Sequence, residues 1–371
     1  MLIGVPKEIK NHEYRLGLVP SSVRELIMNG HQVIIQDGAG AGIGFDNADF
    51  EQVGARIVGS ADDIFNEADM IIKVKEPQPS ECKMLRPGQI LFTYLHLAPD
   101  PEQARLLQES GCIAIAYETV TNKNGGLPLL APMSEVAGRM AIQAGATSLE
   151  VTHKGSGILL GGVPGVAPAK VVVLGGGVVG TNSVRLAIGM GARVVVIDKS
   201  LERLYLLDLQ FGSKIMTIYS TIDSIERHVT TADLVVGAVL IPGASAPRLV
   251  TRTMLKKMRQ GSVIVDVSID QGGCFETSRP TTHQNPTYIE EGVVHYCVSN
   301  MPGAVPRTST FALNNATLPF VLALANLGYK EAMRRDPHLL SGLNIYRGKL
   351  THSAVATALQ QEYMPAEMIL H

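Results

Sequence analysis

Residues 170–180 read KVVVLGGGVVG, so an apolar run leads into a GxGxxG pattern formed by Gly175, Gly177 and Gly180. A helix-forming stretch follows. That order suits phosphate binding. Gly175 permits a tight turn, Gly177 lets backbone approach a pyrophosphate, and Gly180 lets the helix pack closely on the strand. The helix N-terminus then offers free N–H groups and a partial positive charge. Asp198 closes the next apolar run, VVVID. An acid there accepts hydrogen bonds from both adenine-ribose hydroxyls and repels the extra phosphate of NADP, so the pattern points to NAD. Arg203, one turn into the following helix, is either a contact for the adenosine end or a solvated helix charge.

Three polar residues stand out before the fingerprint. Arg15 follows PKEIKNHEY in a loop, Lys75 follows the apolar run MIIKV, and His96 ends LFTYL. Lys75 and His96 each fall at the C-terminal end of an expected parallel strand, where open α/β sheets bind ligands. Arg and Lys pair with a substrate carboxylate through charge-assisted hydrogen bonds. His is the usual proton acceptor near neutral pH. Asp270, after the run VIVDVSID and before a Gln-Gly-Gly turn, would stand beside a nicotinamide; a plain turn residue is the competing reading. The segment Ser299 to Gly303 follows the last expected strand and would border the same ligand.

The elements needed to place these groups alternate strand and helix twice. Short apolar runs predict strands at 2–5, 32–36, 70–74, 90–94 and 113–116, with helices at 21–29, 60–66 and 101–110 between them. Residues 133–152 read as one long helix. A second series predicts strands at 170–174, 193–197, 214–217, 234–237, 262–267 and 293–296, with helices at 178–190, 200–210 and 253–260. The tail reads as helices at 310–327, 329–335 and 353–360, with no strand. These patterns predict an α/β protein of two doubly wound, Rossmann-like domains with a cleft between them. The expected N-terminal domain is discontinuous, 1–130 plus 306–371, and carries substrate and catalytic groups. The expected NAD-binding domain is 131–305, and the two crossings would act as a hinge.

Composition narrows the function classes. The 371 residues exceed one ordinary core. A formal charge of -2 with no long charged run gives no footprint for nucleic acid. The four cysteines form no CxxC pair and no cluster with metal-ligand spacing, so they read as reduced thiols and no metal is expected. No signal-like N-terminus and no apolar run of roughly 20 residues is evident, so the chain reads as soluble and cytoplasmic.

Several further blocks stand in order: VPKEIKNHEYRLGLVP, MIIKVKEPQ, LFTYLHLA, APMSEVAGRMA, VDVSIDQGGCFET and SNMPGAVPRTST. With the glycine loop and the VVIDKS strand, they resemble the alanine dehydrogenase / transhydrogenase alpha-subunit family over essentially the whole chain. The resemblance implies reversible, NAD-dependent oxidative deamination of L-alanine to pyruvate and ammonium. It implies that Arg15 binds the substrate carboxylate, Lys75 binds substrate, His96 is the catalytic acid/base, and Asp270 is a second catalytic acid. Cofactor-contacting positions matched this way are Ser134, Gly175, Gly177, Val178, Gly180, Asp198, Arg203, Ser220, Val239, Leu240, Ile269, Asp270, Val298, Asn300 and Met301. A homohexamer of two-domain subunits is implied too. Two alternatives share these features: a saccharopine-type dehydrogenase with the same PKE opening, and a transhydrogenase-like NAD-binding subunit.

Overall fold

The computed structural model describes residues 1–239 and 246–370, which divide into two compact units. One comprises Met1–Met133 with Val305–His371, the other Ser134–Ala304. The first crossing thus comes three residues later than the sequence boundary at 130, because the helix Ala131–Ser148 starts in the first unit. Leu240, one of the matched cofactor positions, lies outside the described residues.

The first unit opens with β1 (Leu2–Val5), β2 (Gln32–Gln36), β3 (Arg56–Val58), β4 (Met70–Ile72), β5 (Ile90–Thr93) and β6 (Ile113–Ala116). These run parallel in the order β6-β5-β4-β1-β2-β3. Strands β1, β4, β5 and β6 are almost wholly buried, as expected where helices cover both faces. The chain winds outward from β1 through β2 and β3, then returns to β4 and winds the other way. The switch in winding therefore falls between β1 and β4, and the crevice at such a point is the usual ligand site of an open α/β sheet.

The second unit contributes β7 (Lys170–Leu174), β8 (Arg193–Asp198), β9 (Ile215–Tyr219), β10 (Leu234–Gly237), β11 (Val263–Asp266), β12 (Thr287–Glu290) and β13 (Val293–Tyr296). Their order is β12-β13-β11-β10-β7-β8-β9, parallel apart from the antiparallel edge strand β12. Here the winding switches between β7 and β10. Gly180 shows why the fingerprint needs glycine: a Cβ there would sit 1.8 Å from the Gly175 carbonyl oxygen. Gly175 has φ +95°, the left-handed region that glycine enters without strain.

The tail is not purely helical. It adds β14 (Leu343–Tyr346) and β15 (Lys349–Leu350), and β14 pairs antiparallel with β6 at the edge of the first sheet. The expected helices at 310–327 and 329–335 form one stretch, Pro306–Arg335, interrupted where Gly328 takes φ +73°. By length and composition that stretch could cross a membrane, which the sequence reading had not seen. Here Leu313, Val321 and Leu324 pack it into the core of the first unit. Cys82, Cys112, Cys274 and Cys297 are all free and buried, and burial pushes the Cys112 thiol up to about 11. Among the described residues, no cluster of His, Cys, Asp and Glu is placed to hold a metal.

Candidate active site

In the first unit, the sequence candidates gather at the C-terminal ends of β1, β4 and β5. Arg15 sits in the loop after β1. That loop passes tight against β4: a Cβ on Gly17 would lie 2.6 Å from the Ile72 carbonyl oxygen. The tail helix clamps it from the other side. Thr310 Oγ1 accepts the Leu16 N–H at 3.1 Å, Asn314 Oδ1 accepts the Val19 N–H at 2.9 Å, and Asn314 Nδ2 donates to the Gly17 carbonyl at 3.1 Å.

Arg15 is not a solvated loop cation. Its side chain is 2% exposed and gripped by Glu13, with Nε donating to Oε1 and Nη2 to Oε2, both at 2.6 Å. Its Nη1 faces Met133 Sδ at 3.2 Å. Burial alone would push the Glu13 carboxyl up, but the hydrogen bonds and charge of Arg15 hold it below its ordinary value.

Lys75 differs from Arg15 in forming no ion pair among the described residues. It lies three residues beyond the end of β4, half-buried, because the strand stops at Ile72 rather than Val74. Its neighbour Glu76 is paired with Lys10, and Glu13 is paired with Arg15. Among the described residues no ion pair to Lys75 forms. Burial holds its pKa below the ordinary lysine value, and Arg15 and Lys10 push the same way against Glu76 and Glu13. Arg15 and Glu13 cancel, so Lys75 supplies the net positive charge of this group.

His96 follows β5 with its ring 46% exposed and its backbone at φ +51°. Few non-glycine residues adopt that conformation, and strain of this kind collects at functional sites. Two neighbours hold it. The ring lies parallel to Tyr94, centroids 5.8 Å apart. Glu118 accepts the His96 N–H at 2.6 Å and the Leu95 N–H at 3.2 Å. The Tyr94 hydroxyl donates to the Leu129 carbonyl at 2.5 Å, which fixes the stack. Glu13, Tyr94 and Glu118 escaped the sequence reading.

In the second unit, the glycine loop leaves β7 and the helix Val178–Gly189 begins at once. Gly177 faces open space: nothing lies within 4 Å of where its Cβ would be. Val178 is exposed beside it. This twelve-residue helix and its bare glycine N-cap make a cradle that fits a pyrophosphate. Asp198 ends β8, where Oδ2 accepts the Gly176 N–H at 2.6 Å and Oδ1 the Ser200 N–H at 2.8 Å. Arg203 folds over the loop, donating to the Gly176 carbonyl and the Thr181 hydroxyl. It is thus not a free helix charge.

The other matched positions follow the strand ends. Ser220 follows β9, and its N–H bonds the Asp198 carbonyl at 2.9 Å. Val239 follows β10, and its carbonyl accepts the Ser268 hydroxyl at 2.7 Å. Ile269 is buried and Asp270 exposed on the single turn after β11. That turn hangs on Asp266, which the sequence reading placed in the strand and gave no role. Asp266 is fully buried and accepts the Ser268 N–H, the Cys274 N–H and the Ser278 hydroxyl at 3.0, 2.9 and 2.5 Å. After β13 come buried Val298 and Met301, with Asn300 between them at φ +63°. Ser134 is half-buried on the helix Ala131–Ser148.

Residues 4–137 match the N-terminal domain of alanine dehydrogenase/PNT, and 141–353 match the C-terminal domain. The chain is 59% identical to an alanine dehydrogenase of Halomonas elongata and 54% identical to one of Methanococcus maripaludis, over the full length of each. Among solved structures it matches an L-alanine dehydrogenase with a TM-score of 0.95 at 54% identity, covering 97% of this chain and 99% of that one. A transhydrogenase from Sinorhizobium meliloti, 24% identical over 95% of this chain and all of that one, shares the fold with a TM-score of 0.81. The chain belongs to the alanine dehydrogenase/PNT family.

Proposed function

We propose that the chain catalyses the reversible, NAD-dependent oxidative deamination of L-alanine to pyruvate and ammonium. The observation that carries this reading is Lys75, a half-buried ammonium with no ion partner among the described residues, beside the buried Arg15. Such a pair suits one carboxylate. The similarity to alanine dehydrogenases supports the choice of amino acid.

In this reading Arg15 and Lys75 hold the substrate carboxylate and orient Cα. NAD, when bound, would supply the acceptor for the hydride that leaves Cα. His96, neutral in this direction, accepts a proton as water adds to the resulting substrate imine; the carbinolamine so formed then breaks its C–N bond and releases ammonium, with Asp270 serving as a second acid. In reverse, a protonated His96 donates. The remaining protein contribution is positioning and electrostatics. Gly175, Gly177 and Gly180 would hold the pyrophosphate of NAD, and Asp198 its adenine ribose. The enzyme would act as a cytoplasmic homohexamer, which sedimentation of the purified protein checks.

The deciding experiment is alanine-dependent NADH formation by the purified chain. Lysine-derived substrates and hydride exchange between nucleotides are run in parallel. Activity with either of those and none with alanine would overturn the reading.

A further inference from the structure

We infer that Glu8 is a positioning residue for the Lys75 ammonium, acting through a buried ion network completed by Lys73 and Glu81. The inference rests on the reading of Lys75 as a carboxylate-binding group. Lys73, the first residue past β4, has no exposed side-chain surface. Its Nζ donates to Glu8 Oε2 at 2.9 Å and to Glu81 Oε1 at 2.7 Å. The second oxygen of each acid reaches backbone. Glu8 Oε1 accepts the Val74 N–H at 2.7 Å and the Lys75 N–H at 3.3 Å. Glu81 Oε2 accepts the Gln78 N–H at 2.8 Å. On the other side, the Thr93 hydroxyl donates to the Lys75 carbonyl at 3.0 Å. Both polar groups of the Lys75 main chain are therefore held by buried side chains.

Stability does not explain this arrangement. Burial works against the charge on Glu8 and on Lys73 alike: it leaves the Glu8 carboxyl above its ordinary value, while at Lys73 the two acids outweigh it. Well-packed apolar residues commonly serve stability as well as a buried ion pair does. A network of this kind provides geometry instead. Glu8 comes from the loop after β1, while Lys73 and Lys75 follow β4, so the network bridges the two strands flanking the winding switch. It fixes the root of a long, flexible side chain whose ammonium is left for a ligand. Supporting groups that fix a binding residue in this way govern affinity without touching the ligand.

The test is a double-mutant cycle on KM for pyruvate, with turnover and NAD affinity measured alongside. Lys75→Ala raises KM if the underlying reading holds; an unchanged KM overturns that reading and the inference with it. Glu8→Ala should raise KM roughly 10-fold, the scale of a modest misplacement, with NAD affinity within about twofold. In the Lys75→Ala background the Glu8→Ala effect should vanish, because the two act as a unit. Glu8→Gln keeps the shape but loses either the Lys73 contact or both backbone contacts, depending on its orientation, and should give an intermediate KM. If Glu8→Ala does not fold, the same cycle is run with Glu8→Gln. A Glu8 effect of equal size with and without Lys75 overturns the inference, and so does a fall in thermal stability with KM unchanged.

Discussion

The Glu118 carboxylate accepts the His96 backbone N–H at 2.6 Å, and the same oxygen lies 3.9 Å from His96 Nδ1. One acid thus secures a left-handed backbone and faces the ring it carries. With Tyr94 stacked alongside, the imidazole is held before any ligand arrives. His96→Ala should lower turnover by roughly 10²-fold or more, the usual size for a positioned acid/base. NAD affinity should be unchanged, since the glycine loop belongs to the other unit. Glu118→Ala should lower turnover with the imidazole still present. Near-normal turnover in His96→Ala would remove it from the mechanism.

The depressed pKa of Lys75 gives a pH dependence with a definite sign. A carboxylate needs the ammonium form, so affinity is full below the free-enzyme pKa and falls as pH rises through it. Burial places that pKa below the ordinary lysine value, so the alkaline loss of pyruvate affinity should begin earlier than an exposed lysine would allow. The unfolded chain holds its proton more tightly than the folded one. The resulting cost to folding is full below the folded pKa and disappears as pH climbs through the unfolded value. Lys75→Arg should abolish the alkaline limb. Pyruvate dissociation constants measured across pH for both proteins settle the matter, and identical curves would count against Lys75.

Much of this was legible in the sequence, for a physical reason. The GxGxxG loop, β7, β8 and Asp198 are neighbours along the chain, so local pattern placed them. Lys75 and His96 were legible as residue types at strand ends, and Arg15 as a cation in the loop after the first strand. What held them was not. Glu8 is 65 residues from Lys73, and inside PKEIK it reads as one more surface charge. Only the pairing of β1 with β4 brings the two together. A signal did exist: a lysine within MIIKV is a charge in a buried run and demands a partner. The strands β14 and β15 were missed because each is short and lies among helical stretches.

Cofactor choice turns on Asp198. Its oxygens already accept two backbone N–H groups, which fixes the carboxylate at the end of β8. Each oxygen keeps room for a second donor, so ribose hydroxyls can join without displacing the loop. Asp198→Ala should weaken NAD binding and relax the rejection of NADP, since the repelling charge is gone. Kinetics with both nucleotides check this. Equal efficiency of the unaltered enzyme with NAD and NADP would sink the assignment.

The tail helix carries the last prediction, because it anchors the loop that bears Arg15. Asn314 is 1% exposed and bonds the Val19 N–H and the Gly17 carbonyl, on the loop that bears Arg15. Asn314→Ala would leave buried backbone groups unsatisfied, at a cost on the order of 1–3 kcal/mol. The consequence should extend beyond stability. Arg15 keeps its Glu13 partner within the loop, but the loop loses its anchor opposite Gly17 and β4. The carboxylate site should therefore loosen and KM for pyruvate rise. Turnover at saturation should fall less than KM rises, and NAD affinity should stay level. Asn314→Asp separates the two effects, since it keeps the acceptor for Val19 but loses the donor to Gly17. Thermal unfolding and KM are measured on both variants. A loss of stability with unchanged KM in the folded enzyme would confine Asn314 to the core and leave Arg15 fixed without its help.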